Sequence, residues 1–154
     1  MVKVDPDHQN ETKMTDFKAA REAMVDCQVR PSDVTKYPII DALLRTPREN
    51  YVPADKQAVA YMGKHIAVSA SRFILDPRTF AKMLDAVSIH PDDLVLDVAC
   101  GTGYSTAIIA HLAQAVVALE DDATLANAAS ETLSDAGVDN AIVVNAMLSA
   151  GAPK

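Results

Sequence analysis

The sequence has few cysteines, few glycines and no long apolar run. Its two cysteines among 154 residues do not make a disulfide framework in an acidic domain of this size, which favours a reducing compartment. No spacing of cysteine and histidine resembles a metal site, so no metal is expected. No run approaches the roughly 18 apolar residues of a membrane span, and the polar start does not resemble a signal peptide. We therefore expect a cytoplasmic protein without a membrane partner.

Basic residues are also scarce relative to acidic ones. Fourteen lysines and arginines stand against 21 aspartates and glutamates, which gives a formal net charge of −7 at pH 7. Such a chain repels a phosphate backbone at long range, and this argues against nucleic acid as a partner. The length and the hydrophobic share of 49% are those of one globular domain with its own core.

The N-terminal part predicts helices and a long irregular connection. Residues 15–29 have apolar side chains at helical spacing, with Thr15 as a plausible N-cap. Residues 37–47 predict a short helix, because one proline suits its first turn and another ends the pattern. Residues 48–74 show no sustained period and are expected to be irregular, with short extended pieces. A connection of that length in a compact domain is often functional.

A further helix is predicted over residues 75–87. Asp76 can cap it, and Pro77 suits its first position. Its apolar stripe, which we expect in the core, consists of Phe80, Met83, Leu84 and Val87.

The rest of the chain alternates strands and helices. The apolar, β-branched run 94–99 suits a strand buried on both faces. Strands are also predicted at 115–120 and 141–145, with helices at 104–113 and 122–137. This β-α-β-α-β order predicts parallel strands joined by right-handed crossovers.

A turn with two glycines follows the first of these strands, in the stretch LDVACGTGY. Ligands of such sheets bind beyond the carboxyl ends of the strands. Gly101 and Gly103 permit a tight turn and a close approach of the backbone to a ligand. The amides at the start of the next helix can bind polar groups.

This turn has three interpretations. It binds one of two classes of nucleotide cofactor, or it is a tight turn that binds no ligand. A nicotinamide or flavin dinucleotide requires G-x-G-x-x-G, whereas Thr106 stands at the third position here. Asp97, four residues before Gly101, repels a pyrophosphate but attracts a cationic amino-acid group. Glu120, at the end of the next strand, suits a ribose of either class. Asp97 and the missing glycine therefore favour S-adenosylmethionine.

The expected cofactor-binding residues lie on this turn and at the end of the next strand. They are Asp97, Ala99, Cys100, Gly101, Thr102, Gly103, Glu120 and Asp121. Cys100 is expected to be a wall residue, because no basic partner that would activate its thiol is visible nearby. The acids at 120–122 suit a solvated turn better than a metal site. No catalytic residue is identified.

Two motifs, in the same order, resemble a known family. Residues 95–121, VLDVACGTGYSTAIIAHLAQAVVALED, are similar to the first two cofactor motifs of class I methyltransferases. The tyrosine after the second glycine is a feature of the protein-L-isoaspartate (D-aspartate) O-methyltransferases. Residues 24–53, MVDCQVRPSDVTKYPIIDALLRTPRENYVP, resemble the opening helix pair of that family. The chain is identified as a member of its divergent bacterial branch.

The resemblance implies an α/β fold, the Rossmann-like doubly wound parallel sheet of class I methyltransferases, preceded by an N-terminal helical segment. Only the first β-α-β-α-β half is expected, because the chain looks C-terminally truncated beside the family. Within one structural domain, residues 1–13 are then a disordered tail, 14–90 a substrate-side segment and 91–154 a partial cofactor-binding unit. The first strand is expected to have an unpaired edge, which is an aggregation hazard.

The implied activity is methyl transfer from S-adenosylmethionine to an isoaspartyl carboxylate in a protein or peptide. A carboxylate is already nucleophilic at neutral pH, so proximity and in-line orientation supply most of the catalysis. Leu75 stands where the family has a hydroxyl residue at the reacting site. Met147 stands where it has an acid for the adenine, and Asn145 is a partial substitute. These departures support an alternative, a module that binds the cofactor without transferring the methyl group.

For two groups of side chains that follow the second helix, the sequence allows two interpretations of their environment. Arg45, Arg48 and Lys56 fit a solvated face better than a contact with an acidic substrate. Tyr51 and Tyr61 either line the substrate cleft or pack in the core.

Overall fold

The N-terminal segment is helical from the first described residues onward. A computed structural model describes residues 16–151, and the predicted tail lies outside them. Helix α1 (Phe17–Met24) has Asp16 as its N-cap, one residue later than predicted, and the Asp16 side chain accepts from the Ala19 N–H at 3.0 Å. The helix continues as a π-helical turn over Val25–Val29.

The long connection is irregular, as the sequence predicted. It follows helix α2 (Tyr37–Arg45) and contains two 3-10 turns, Arg48–Tyr51 and Ala54–Val59, which were not predicted. Strands β1 (Ile66–Ala67) and β2 (Phe73–Ile74) then pair antiparallel as a short hairpin. The expected short extended pieces are therefore present.

Helix α3 (Pro77–Val87) begins as predicted, since the Asp76 side chain accepts from the Thr79 N–H at 2.9 Å. The prediction that its whole apolar stripe lies in the core is wrong for two residues. Met83 and Val87 are 51% and 70% exposed.

The reason is that α3 turns a narrower face toward the core than its apolar stripe would allow. The helix contacts the core through Phe80, Ala81 and Leu84, which are all buried. Met83 lies to one side of that contact, at the wall of a cavity described below.

The C-terminal half forms a parallel sheet with the predicted alternation. Strands β3 (Leu94–Val98), β4 (Ala115–Glu120) and β5 (Ala141–Asn145) pair in the order β3-β4-β5. Helices α4 (Tyr104–Ala110) and α5 (Ala123–Asp135) connect them. Strands β4 and β5 have the predicted bounds, whereas both helices are shorter than predicted.

The two faces of this sheet differ in their exposure. The face that holds Val116 and Ala118 is buried, on the side where α4 and α5 contact the strands. On the other face, Leu94, Leu96 and Ile142 are 77%, 44% and 61% exposed. The prediction that the first strand is buried on both faces is therefore wrong for the described residues. Within residues 16–151, β3 pairs with β4 alone, so its unpaired edge is confirmed there.

A continuous core joins the N-terminal helices to α4. Arg48 is fully buried in it, so its predicted place on a solvated face is wrong. Tyr51 and Tyr61 are also buried, which favours the packing interpretation. Among residues 16–151, no helix combines the length and the hydropathy that a membrane span requires.

Candidate cofactor site

The turn between β3 and α4 is made by three residues in the left-handed backbone region. Ala99, Gly101 and Gly103 have φ values of 62°, 59° and 91°. The Ala99 N–H donates to the Leu119 carbonyl at 2.8 Å, so the pairing with β4 extends past the end of β3. Positive φ is unfavourable for alanine, and such strain is typical of functional turns.

The two glycines of the turn have different surroundings. A Cβ on Gly103 would lie 3.3 Å from both the Cβ of Ala129 and the Cγ of Leu133 on α5. Gly103 therefore lets α5 pack closely against the turn. A Cβ on Gly101 would find its nearest neighbour, Cγ2 of Val68, at 3.6 Å, so Gly101 faces the hairpin.

Asp97 is held at the end of β3 by two hydroxyl groups. Its Oδ2 accepts from the hydroxyls of Ser105 and Thr106, both at 2.7 Å. Burial raises the pKa of Asp97, the hydrogen bonds from Thr106 and Ser105 lower it, and the charge of Glu120 raises it, with a net upward shift. Thr106, which stands where the dinucleotide motif has glycine, thus fixes the acid in place.

A cavity of about 190 Å³ lies at the carboxyl end of β3. Five of the predicted cofactor-binding residues contribute to its wall: Asp97, Ala99, Cys100, Gly101 and Thr102. The cavity is also lined by apolar side chains, which include Leu75, Phe80 and Met83. The structure thus brings most of the predicted residues together, although their role in binding stays a prediction.

Glu120 is fully buried beside the turn. Its Oε2 accepts from the Gly101 N–H at 2.8 Å, and its Oε1 accepts from the N–H groups of Asp121 and Asp122 at 3.0 and 3.1 Å. Burial opposes ionisation of this carboxyl, but hydrogen bonds from Arg72 and from these backbone groups outweigh it and lower the pKa. Glu120 is therefore an ionised group in the interior.

Arg72 is a residue of this site that the sequence did not predict, as is Ser105, which holds Asp97. Nη2 and Nε of Arg72 lie 3.0 and 3.1 Å from Oε1 and Oε2 of Glu120, and Nη2 lies 2.5 Å from Oδ1 of Asp121. The available signal was a basic residue near the end of the irregular segment and a run of acids at 120–122. Because 48 residues separate Arg72 from Glu120, only the fold pairs them.

The remaining predicted features have clear positions. Burial raises the pKa of the Cys100 thiol to about 12, which agrees with a wall residue and not a nucleophile. Met147 is exposed, and the side-chain amide of Asn145 donates to the Glu120 carbonyl at 2.9 Å. Asp122 caps α5 by accepting from the Leu125 N–H at 3.2 Å. Within residues 16–151, no cluster of three potential metal ligands is present.

Three larger surface depressions contain none of the predicted cofactor-binding residues. One, of about 460 Å³, is lined by residues that include His111 and Asn140. A second, of about 740 Å³, includes Gln28 and Gly63, and a third, of about 240 Å³, includes Lys36 and Leu112. The smaller cavity is the candidate site, because parallel sheets bind ligands at the carboxyl ends of their strands.

The sequence and the fold are similar to those of known proteins. The sequence model of the protein-L-isoaspartate(D-aspartate) O-methyltransferase family matches residues 19–153. A protein-L-isoaspartate O-methyltransferase from Roseiflexus castenholzii is 31% identical over 128 residues, which cover 83% of this chain and 58% of that protein. One from Methylorubrum populi is 34% identical over 125 residues, which cover 81% of this chain and 58% of that protein.

Solved structures show the fold. A protein-L-isoaspartate O-methyltransferase superposes with a TM-score of 0.76 and 21% identity, over 86% of this chain and 44% of its own. A putative protein-L-isoaspartate O-methyltransferase from Plasmodium falciparum, in complex with S-adenosyl-L-homocysteine, gives a TM-score of 0.66 and 18% identity, over 84% and 62%. The fold is therefore the Rossmann-like α/β fold of these methyltransferases, with its N-terminal helical segment.

The chain spans about 58% of the length of both curated relatives. The family match nevertheless extends from the first helix to the end of the described chain. Together with the identity above 30% to these relatives, it shows that the chain belongs to the protein-L-isoaspartate (D-aspartate) O-methyltransferase family.

Proposed function

We propose that the chain binds S-adenosylmethionine at the turn between β3 and α4, as the cofactor-binding part of a protein-L-isoaspartate O-methyltransferase. The observation that carries this proposal is Asp97, a carboxylate held by two hydroxyls on the wall of the cavity. An anion at this place suits an ammonium group and opposes a pyrophosphate. The proposal includes the eight residues named from the sequence.

The residues present fit the methionine end of this cofactor. Both hydroxyl bonds of Asp97 go to Oδ2, and Oδ1 accepts none from the described residues, so an anionic oxygen remains for the ammonium. The backbone of Ala99 and Gly101 can approach the ligand closely, because neither residue carries a side chain beyond Cβ. Glu120 and Asp121 are the acids at the end of β4 that can receive the ribose hydroxyls.

The chemistry requires positioning more than acid–base catalysis. When bound, S-adenosylmethionine would supply a methyl group on a sulfonium: the acceptor carboxylate oxygen would bond to the methyl carbon as the sulfur–methyl bond breaks, with S-adenosylhomocysteine as the leaving group. In this chain, Leu75, Phe80 and Met83 line the same cavity as Asp97. Apolar side chains there limit the access of water, and in-line orientation of the acceptor is the main source of rate for such a transfer. The proposed acceptor is an isoaspartyl residue of a protein or peptide.

We also propose that the chain works in the cytoplasm and that residues 14–90 form the side facing the acceptor. Both cysteines are free, Cys27 exposed and Cys100 buried, which suits a reducing compartment. The irregular connection and α3 supply Leu75 and Met83 to the cavity, and this supports a substrate-side role for the segment.

Calorimetric titration with S-adenosylhomocysteine tests the binding proposal, after circular dichroism has established that the chain is folded. We expect micromolar binding, about −8 kcal/mol, and no displacement of the ligand by NAD. A folded chain that binds no S-adenosylhomocysteine would overturn the proposal. Displacement by NAD would instead support a dinucleotide site.

One observation favours a second function, cofactor binding without transfer. Leu75 lines the cavity at the position where the family has a hydroxyl residue, and leucine forms no hydrogen bond with an acceptor. Incubation with methyl-labelled S-adenosylmethionine and an isoaspartyl peptide separates the two functions. Labelled peptide supports the enzyme, and cofactor binding without any labelled peptide supports the binding module.

A further inference from the structure

We infer that Arg72 is a latch on the ribose position of this site: its guanidinium occupies the Glu120 oxygens that a cofactor ribose needs, and binding requires its release. The inference rests on the proposed function, because it concerns the same cofactor. It goes beyond that function by naming a residue of this chain that competes with the ligand.

Glu120 has no acceptor site left in this arrangement. Oε1 accepts from Nη2 of Arg72 and from the N–H groups of Asp121 and Asp122, and Oε2 accepts from Nε of Arg72 and from the Gly101 N–H. A carboxylate offers about four lone-pair sites. A ribose diol can therefore bind Glu120 only if a present donor leaves.

Of the groups that donate to Glu120, Arg72 is the one that can leave. The other three donors are backbone N–H groups, fixed by the turn after β3 and by the start of α5. Arg72 lies at the end of the hairpin loop, where its carbonyl accepts from the N–H groups of Val68 and Ser69 at 2.9 and 3.3 Å. Strands β1 and β2 have two residues each, so few hydrogen bonds resist a shift of this loop.

A released Arg72 still has a carboxylate partner. Its Nη2 already lies 2.5 Å from Oδ1 of Asp121, a side chain that is 46% exposed. The guanidinium can therefore move outward onto Asp121 and leave Glu120 to the ligand. Release to a second carboxylate avoids an unpaired cation, which would otherwise make the movement unfavourable.

The latch also lies over the turn that the ligand approaches. The Cβ of Arg72 is 4.0 Å from the point that a Cβ on Gly101 would occupy. In the closed arrangement described here, Arg72 thus lies beside Gly101 and next to the Glu120 oxygens that the ribose is proposed to bind. A ribose position that is available only after release reduces the apparent affinity for a diol ligand by the fraction of open molecules.

The test compares S-adenosylhomocysteine binding to the full chain, to Arg72→Met and to Arg78→Met. Arg78 is an exposed arginine on α3, so it controls for loss of one positive charge. We expect Arg72→Met to bind about tenfold more tightly and Arg78→Met to bind as the parent does. Equal or weaker binding by Arg72→Met would show that Arg72 only anchors the hairpin, and would overturn the latch.

A second ligand separates competition from a general change in the loop. For the 2′,3′-dideoxy analogue, which lacks the diol, we expect parent and Arg72→Met to bind equally. A gain of the same size for this analogue overturns the latch. If Arg72→Met does not fold, Arg72→Lys replaces it, since lysine keeps the charge without the two-point contact; it should also bind the diol ligand more tightly than the parent does. If parent and variants all fold and none binds, the proposed function itself fails.

Discussion

Arg48 lies over the ring of Tyr104, with its guanidinium carbon 4.8 Å from the ring centroid. The side chain is fully buried. Its Nε donates to the Ala60 carbonyl at 2.6 Å, and its Nη2 donates to the Leu75 carbonyl at 2.7 Å. One arginine thus joins the irregular segment, the cavity wall and the first residue of α4.

Replacement of this arginine should destabilise the whole fold. Arg48→Met keeps most of the apolar stem but leaves the carbonyls of Ala60 and Leu75 without these donors. We expect the free energy of unfolding to fall by about 2–4 kcal/mol, measured by urea denaturation. Arg45→Met is the control, since Arg45 is exposed and its contact with Asp41 is a 3.4 Å surface pair. That variant should lose less than about 0.5 kcal/mol, and a similarly small loss for Arg48→Met would contradict the prediction.

Local pattern was sufficient for the sheet and for the turn. The bounds of β4 and β5 follow from short apolar runs that end at polar residues. Asp76 and Pro77 predict the start of α3, because they suit the N-cap and the first helical position. Gly101 could be placed at the site because a strand, a turn and a helix in that order fix where a ligand binds.

The same local pattern could not predict contacts between residues that are far apart in the sequence. The partner of Arg72 lies 48 residues away, and no local periodicity encodes such a contact. Arg48 was misplaced because a charged residue is rarely buried without a carboxylate partner, whereas here backbone carbonyls receive its hydrogen bonds. The exposure of Leu94 shows the same limit, since apolar composition identifies a strand without stating what covers each face.

Removal of the Asp97 charge should weaken cofactor binding without unfolding the chain. In Asp97→Asn the side chain stays nearly isosteric and can still accept from Ser105 and Thr106. It no longer attracts an ammonium, so we expect a loss of about 10- to 100-fold in affinity for S-adenosylhomocysteine by calorimetry. Asp92→Asn, at an exposed position, removes the same charge outside the cavity. Equal affinities of the two variants would place the ammonium elsewhere.

The affinity should also depend on pH through Asp97. Burial raises the pKa of this carboxyl. The hydrogen bonds from Thr106 and Ser105 lower the pKa and the charge of Glu120 raises it, so that the net shift is upward. The ionised form binds the ammonium, so affinity is full above the raised pKa and falls as the pH drops through it. Glu120 has a lowered pKa and stays ionised over this range. The fall should begin above the ordinary aspartate value of about 3.9.

Titration of the folded chain with S-adenosylhomocysteine from about pH 8 to about pH 4 checks this profile. Asp97→Asn should show a flat profile over the same range, with circular dichroism establishing the fold at each pH. A parent whose affinity falls only at the ordinary aspartate value would contradict a raised pKa in the binding site.

Gly103 and Gly137 form a matched pair that separates backbone strain from packing. Both have positive φ, 91° and 68°. A Cβ on Gly103 meets Ala129 and Leu133 at 3.3 Å, whereas one on Gly137 meets nothing within 4 Å. Gly137→Ala should therefore lower the free energy of unfolding only by the energy of the left-handed conformation, about 1–2 kcal/mol. Alanine at Gly103 should cost that and an overpacking penalty of about 1–3 kcal/mol.

The difference between the two variants in urea denaturation then measures how tightly α5 is packed against the turn. The Cβ of Gly103→Ala should push α5 away from the turn and shift the turn residues. We therefore expect Gly103→Ala to bind S-adenosylhomocysteine less tightly than Gly137→Ala does. Equal stabilities would mean that Leu133 moves aside at little cost. In that case Gly103 is required for its backbone conformation alone, and its contact with α5 does not determine the geometry of the site.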